Sequence, residues 1–247
     1  MNDYMNTQSN YDRGSYAYST SSANGALSFS NVMTQVYLWM TVALMLTAGT
    51  AFLTVSSPTM LNFIYGNMPI IWGLFIAELV LVIALSAGIN RLSPTTATVI
   101  FLLYSLITGI TISSIFFAYS LGTITQAFAA SALTFGAMTI FGFTVKKDLS
   151  GIGRILIMSL FGLIIGSVIN FFWQNSLFDS LLTYAGIAIF IGLTATDTQK
   201  IKILAEKAEA SGDPLAPRRV AILGALTLYL DFINLFLEIL RMMGRKR

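Results

Sequence analysis

The chain has 247 residues, of which 55% are apolar and only 10% charged, against roughly 25% charged in an average soluble domain. It contains neither cysteine nor histidine. That excludes disulfides, thiolate metal sites and cysteine nucleophiles, and leaves proton chemistry near neutrality to carboxylates, lysine or tyrosine. The net charge of +3 is no nucleic-acid signal, because the basic residues gather at the ends of apolar stretches, as membrane topology requires.

Residues 1–28 are rich in Ser, Asn, Tyr and Gly and hold no apolar run, so they read as a polar, disordered tail and not as a signal peptide. Residues 29–247 read as one all-α membrane domain. Seven stretches are apolar over a helical length sufficient to span: Val32–Val55, Ile70–Gly88, Thr96–Tyr119, Thr125–Val145, Ile155–Trp173, Leu181–Thr198 and Val220–Leu240. The Pro, Asn and Gly between the first two read as a loop. Residues 199–219 form the only sizeable polar loop, and the spacing of Ile201, Leu204 and Ala208 extends the sixth helix into it until Ser-Gly-Asp-Pro ends it.

Charge orients the bundle. With the N-terminus inside, the inner loops carry Arg91, then Lys146, Lys147 and Arg154, then Lys200, Lys202, Lys207, Arg218 and Arg219, while the outer loops carry no Lys or Arg. This predicts a cytoplasmic N-terminus. The tail dissents: Arg241, Arg245, Lys246 and Arg247 fall outside if the seventh segment spans fully. Either the tail is tolerated there or that segment is re-entrant.

Two aspartates sit where a bilayer penalises them, Asp197 near the end of the sixth span and Asp231 in the middle of the seventh. Intramembrane carboxylates are rare without a partner or a task. On the seventh segment Thr227, Asp231, Asn234 and Glu238 fall at i, i+4, i+7 and i+11, one polar stripe on an apolar helix. Thr194, Asp197 and Thr198 make a shorter polar face on the sixth. Facing each other, the stripes would bring Asp197 and Asp231 within hydrogen-bond range.

Two carboxylates that close in low dielectric cannot both ionise cheaply, so they share a proton and titrate as a pair. Raising the pH, or admitting a cation, then favours a different helix arrangement. A hard cation such as Ca²⁺ takes about six to eight oxygens. Two aspartates with Asn234, hydroxyls and water would hold one weakly, which suits passage. Glu78, in the second span, either lines the same pathway or is protonated and inert. Arg91 either snorkels to the interface or reaches an aspartate as a removable counter-charge. The bland reading of the aspartates is a contact that fixes helix packing, though interhelical hydrogen bonds in membranes average only about 0.6 kcal/mol.

The segments GLTATDTQK at 192–200 and ILGALTLYLDFINLFL at 222–237, with TVKKDLSG at 144–151 and QVYLWMTVAL at 35–44, resemble the Bax inhibitor-1 family, specifically its bacterial inner-membrane branch. The resemblance covers roughly residues 30–247. It implies six helices around a central, apolar C-terminal helix, and a pH-sensitive calcium leak with a di-aspartyl pair as proton sensor and ion site. Asp197 and Asp231 match those two positions. The family's counter-charge is an arginine on the second helix, for which Arg91, at its far end, is the only counterpart. The resemblance also links bacterial relatives to membrane-protease quality control.

Two rivals are weaker. An intramembrane aspartyl protease would carry Gly-x-Gly-Asp on the later helix, but Leu-Tyr-Leu precedes Asp231. A retinal protein needs a lysine in its last helix, and 220–240 has none. A non-conducting scaffold or regulator, with a membrane protease or another membrane protein as partner, remains the alternative. The expectation is therefore a non-enzymatic cation leak without a cofactor, with Ca²⁺ as transported or weakly bound ion. Asp197 and Asp231 contact ion and proton; Thr194, Thr227 and Asn234 line the site; Glu78, Arg91 and Glu238 are candidate pathway or gate residues.

Overall fold

A computed structural model of the chain describes residues 31–89 and 91–244. The N-terminal tail and the basic residues Arg245, Lys246 and Arg247 lie outside the described residues. The elements are α1 (Asn31–Ser56), α2 (Pro58–Tyr65), α3 (Met68–Gly88), α4 (Pro94–Ile112), α5 (Ile115–Ala118), α6 (Leu121–Thr144), α7 (Ser150–Trp173), α8 (Ser176–Ala210) and α9 (Ala216–Gly244). With α4 and α5 taken together, seven helices are long and apolar enough to cross a membrane, as the sequence predicts.

Local chemistry explains the boundaries. Ser93 and Ser120 accept the backbone N–H groups of Thr96 and Thr123 at the starts of α4 and α6, the hydroxyl cap that satisfies an orphan donor. The sixth span continues as one 35-residue helix to Ala210, and Gly212, at φ 72°, turns the chain into α9. The Pro/Asn/Gly segment expected to be a loop is a correction: it holds α2. Pro58 occupies the first turn, where its missing N–H is no loss, and Ser57 caps Met60 N–H at 3.4 Å. Tyr65 of α2 then enters the break between α4 and α5, donating to Ile110 O at 3.2 Å and meeting Ser113 Oγ at 2.8 Å.

The C-terminal helix is the core of the bundle. Two-thirds of the apolar window of α9 is buried (67%), against 39% for α8 and 6% for α3. Its Tyr229, Leu228 and Leu235 are fully enclosed. A helix apolar on every side can face lipid, and α3 takes the rim, whereas α9, which carries a polar stripe that lipid penalises, takes the interior. α9 also settles the re-entrant question. Its first turns pack on the start of α1, where a side chain at Gly224 would meet Val36, and its end, Gly244, lies against Tyr119 in the turn before α6. It therefore runs the length of the bundle, and its two ends lie on opposite faces.

Candidate functional site

The site is built on the antiparallel pair α8 and α9. A side chain added at Gly224 would meet Ile201, and one at Gly186 would meet Glu238. Counting from these contacts, Asp197 comes level with Thr227 or Leu228, and Asp231 with Leu193 or Thr194. The aspartates are therefore offset by about one helical turn, near 5 Å of rise. They lie within reach of each other's charge. The register that packs Gly186 against Glu238 and Gly224 against Ile201 leaves the two aspartates on successive turns.

Their surroundings differ. Asp231 is 5% exposed and its Oδ2 has no hydrogen-bond partner; buried polar atoms are seldom left so. Asp197 is half-buried and lines two cavities. One, of about 270 Å³, is shared with Ser86 of α3, Lys200 and Thr227. The other, of about 500 Å³, opens between α7 and α8. The hydroxyls around the pair bond back to their own helices: Thr194 to Phe190 O at 2.8 Å, Thr198 to Thr194 O at 2.7 Å and Thr227 to Leu223 O at 3.0 Å. Their protons are thereby occupied and their oxygen lone pairs remain available, the orientation a cation would use. Asn234 donates to Leu230 O at 2.8 Å, one turn beyond Asp231.

The other candidates separate from the pair. Glu78 on α3 faces Thr108 and Thr111 of α4, among the hydroxyls around Tyr229. Tyr229 meets Thr47 at 2.7 Å, and Thr47 spends its own proton on Ser105 O at 2.9 Å, so the tyrosine is the donor. Glu238 stands beside Gly186 and forms an ion pair with Arg241 at 3.6 Å. Arg91 is exposed and makes no ion pair among the described residues. The cation beside Asp197 is Lys200, three residues on. That helical spacing was visible in the sequence, although the charge read there as a loop residue.

Gln199 anchors the end of the site at the α6–α7 turn and went unnoticed in the sequence. It is buried, donates to Lys147 O at 2.9 Å and accepts Leu149 N–H at 2.8 Å, clamping the α6–α7 turn to α8. Nearby, the backbone of α6 at Gly142 touches Ala195 O so closely that no Cβ fits. Small residues permit such approach between spans, and here it fixes the face on which Asp197 projects.

Comparison with known proteins agrees with this frame. Residues 29–247 match the family described as "Inhibitor of apoptosis-promoting Bax1". The chain belongs to the Bax inhibitor-1 family. It is 46% identical over 215 residues to the inner membrane protein YbhL of Escherichia coli, covering 87% of this chain and 92% of that one. A Borreliella burgdorferi protein is 39% identical over 215 residues, with the same coverage. A Deinococcus radiodurans protein is 41% identical over 209 residues, covering 84% and 87%. The Bax inhibitor-1 family match thus runs over the whole membrane bundle, α8 and α9 included.

Proposed function

We propose that this chain is a pH-sensitive cation leak, with Ca²⁺ as its cargo, in a bacterial inner membrane and with its N-terminus cytoplasmic. The observation that carries the reading is Asp231: an unpartnered carboxyl oxygen at the centre of the most buried helix, one turn from an aspartate that opens onto two cavities. A packing contact would use both oxygens; a site that exchanges a proton for an ion keeps one free. Among the described residues no three His, Cys, Asp or Glu side chains gather as a metal-holding group, so a cation would find two carboxylates, threonine oxygens and water. That set is too poor to store Ca²⁺ and adequate to let it pass.

Beyond Asp231 the interior is filled by Tyr229, Leu235 and Phe232, so passage requires helices to part. Charge on the staggered pair supplies a reason, since two carboxylates repel and one shared proton relieves the repulsion. The test is Ca²⁺ uptake into proteoliposomes from about pH 5 to 8, the range over which a shared-proton pair is asked to respond, for wild type and the Asp197→Asn/Asp231→Asn variant. A wild-type flux whose pH dependence disappears in the variant supports the reading. No wild-type flux above empty liposomes, with folded protein, overturns it in favour of a scaffold. That second reading draws on α3, whose exposed Trp72, Phe75, Leu79 and Ile83 offer a face to a membrane partner.

A further inference from the structure

The larger cavity at the inner end of the site is unlike the rest of the bundle. Where α8 outruns the start of α7, the two helices enclose a cleft of about 500 Å³, with Arg154, Lys200 and Lys207 on its walls. None of the three is ion-paired, although the described residues include two other ion pairs, Arg219–Asp213 and Arg241–Glu238. Lys200 and Lys207 are two turns apart on one face of α8 and Arg154 lies across from them in the first turns of α7, so the three cations converge on one volume.

Two carboxylates share the cleft, and with both ionised the three cations still leave one positive charge in excess. Asp148 is turned into the α7 terminus, accepting Ser150 N–H at 2.8 Å and Ser150 Oγ–H at 2.9 Å. Asp197 lies at the deep end. Between the cations the walls are apolar: Ile157 and Ile203 line the cleft and are 43% and 40% exposed. Ile157 continues into the bare apolar face of α7, with Ile155, Met158 and Phe161.

We infer that this cleft binds the headgroup of an anionic phospholipid from the inner leaflet, its phosphate among Arg154, Lys200 and Lys207 and its acyl chains on the apolar face of α7. Unpaired cations at the membrane surface attract anionic lipid, and a snorkelling lysine or arginine delivers its charge at headgroup depth. Inorganic phosphate shares the charge but gains nothing from Ile157, Ile203 and the α7 face. A zwitterionic lipid shares the chains but brings no net charge. The site is a matter of binding alone and stands whether or not the chain conducts.

The test is native mass spectrometry of the full chain in detergent with added phosphatidylglycerol or phosphatidylcholine, with and without millimolar inorganic phosphate. The variants are Arg154→Gln/Lys200→Gln/Lys207→Gln and a charge-matched control, Lys146→Gln/Lys147→Gln/Arg218→Gln, both checked for helical content. Wild type and the control should retain phosphatidylglycerol over phosphatidylcholine, and the cleft variant should lose at least about tenfold of that preference. Equal loss in the control would reduce the effect to a general basic face and overturn the site. Equal retention of both lipids, or displacement of phosphatidylglycerol by inorganic phosphate, would overturn the lipid as occupant.

Discussion

Asp197 and Lys200 line the same two cavities, one between α7 and α8 and the other beside α3 and α9. The lysine is exposed, the aspartate half-buried, and Asp231 borders neither space. Water therefore meets one member of the pair and not the other. The chain has no native cysteine, so single replacements label without background. Asp197→Cys should react with a membrane-impermeant maleimide added to inside-out vesicles, while Asp231→Cys stays unlabelled. Arg241→Cys, exposed near the far end of α9, should label only from the opposite side, because α9 runs the length of the bundle; labelling of Arg241→Cys from the same side as Asp197→Cys would contradict that course.

The unpartnered oxygen of Asp231 makes a stability prediction separate from flux. An amide of the same shape removes the burden of a buried carboxyl that lacks a full set of partners. Asp231→Asn should be at least as heat-stable in detergent as wild type at neutral pH. A loss above about 2 kcal/mol, the scale of a broken buried hydrogen bond, would mean that the carboxyl holds the bundle together.

Gln199 should behave oppositely. Gln199→Leu removes its bonds to Lys147 O and Leu149 N–H and orphans both backbone groups, at a cost of about 2–3 kcal/mol. Thermal unfolding checks the loss, and proteolysis in the freed 145–149 turn checks its location.

Gly142 admits no side chain, because Ala195 O occupies the position of its Cβ. Gly142→Val must push α6 from α8, which costs about 1–3 kcal/mol by overpacking. Gly136 on the same helix has nothing within 4 Å of a Cβ, so Gly136→Val should cost much less. Equal melting temperatures for the two variants would remove the close approach from the fold's requirements.

Asp148 bounds what an acid response can mean. Backbone and hydroxyl hydrogen bonds from Ser150 hold its carboxyl below the ordinary value of 3.8, with Arg154 adding to the effect. A depressed carboxylate contributes stability above its unfolded value and loses it as pH falls through the folded one, so its contribution is constant from about pH 5 to 8. Asp148→Asn should leave any pH response of the protein in that range unchanged and flatten only the acid limb of its stability. A changed response near neutrality would give Asp148 a role in sensing.

Much of this was legible in residue order. Seven apolar runs of bilayer length can only be helices, since backbone groups in lipid must bond within their own segment, and the termination of α8 near Gly212 followed from local turn chemistry. The central placement of α9 came with the family resemblance, and the polar stripe through Asp231 agreed with it. Tertiary structure alone decided the rest. How far Asp197 is offset along the bundle from Asp231 depends on the register of α8 against α9, which Gly186 and Gly224 set through contacts across the bundle. Whether Arg91 or Lys200 stands beside Asp197 depends on where α3 sits, and its near-uniform apolar surface specifies no face. The segment 58–65 read as a loop because proline is both a breaker and a helix starter, and Tyr65 packing at the α4–α5 break favours the second. Periodicity describes one helix at a time; the stagger of the aspartates and the cleft beside them are properties of pairs.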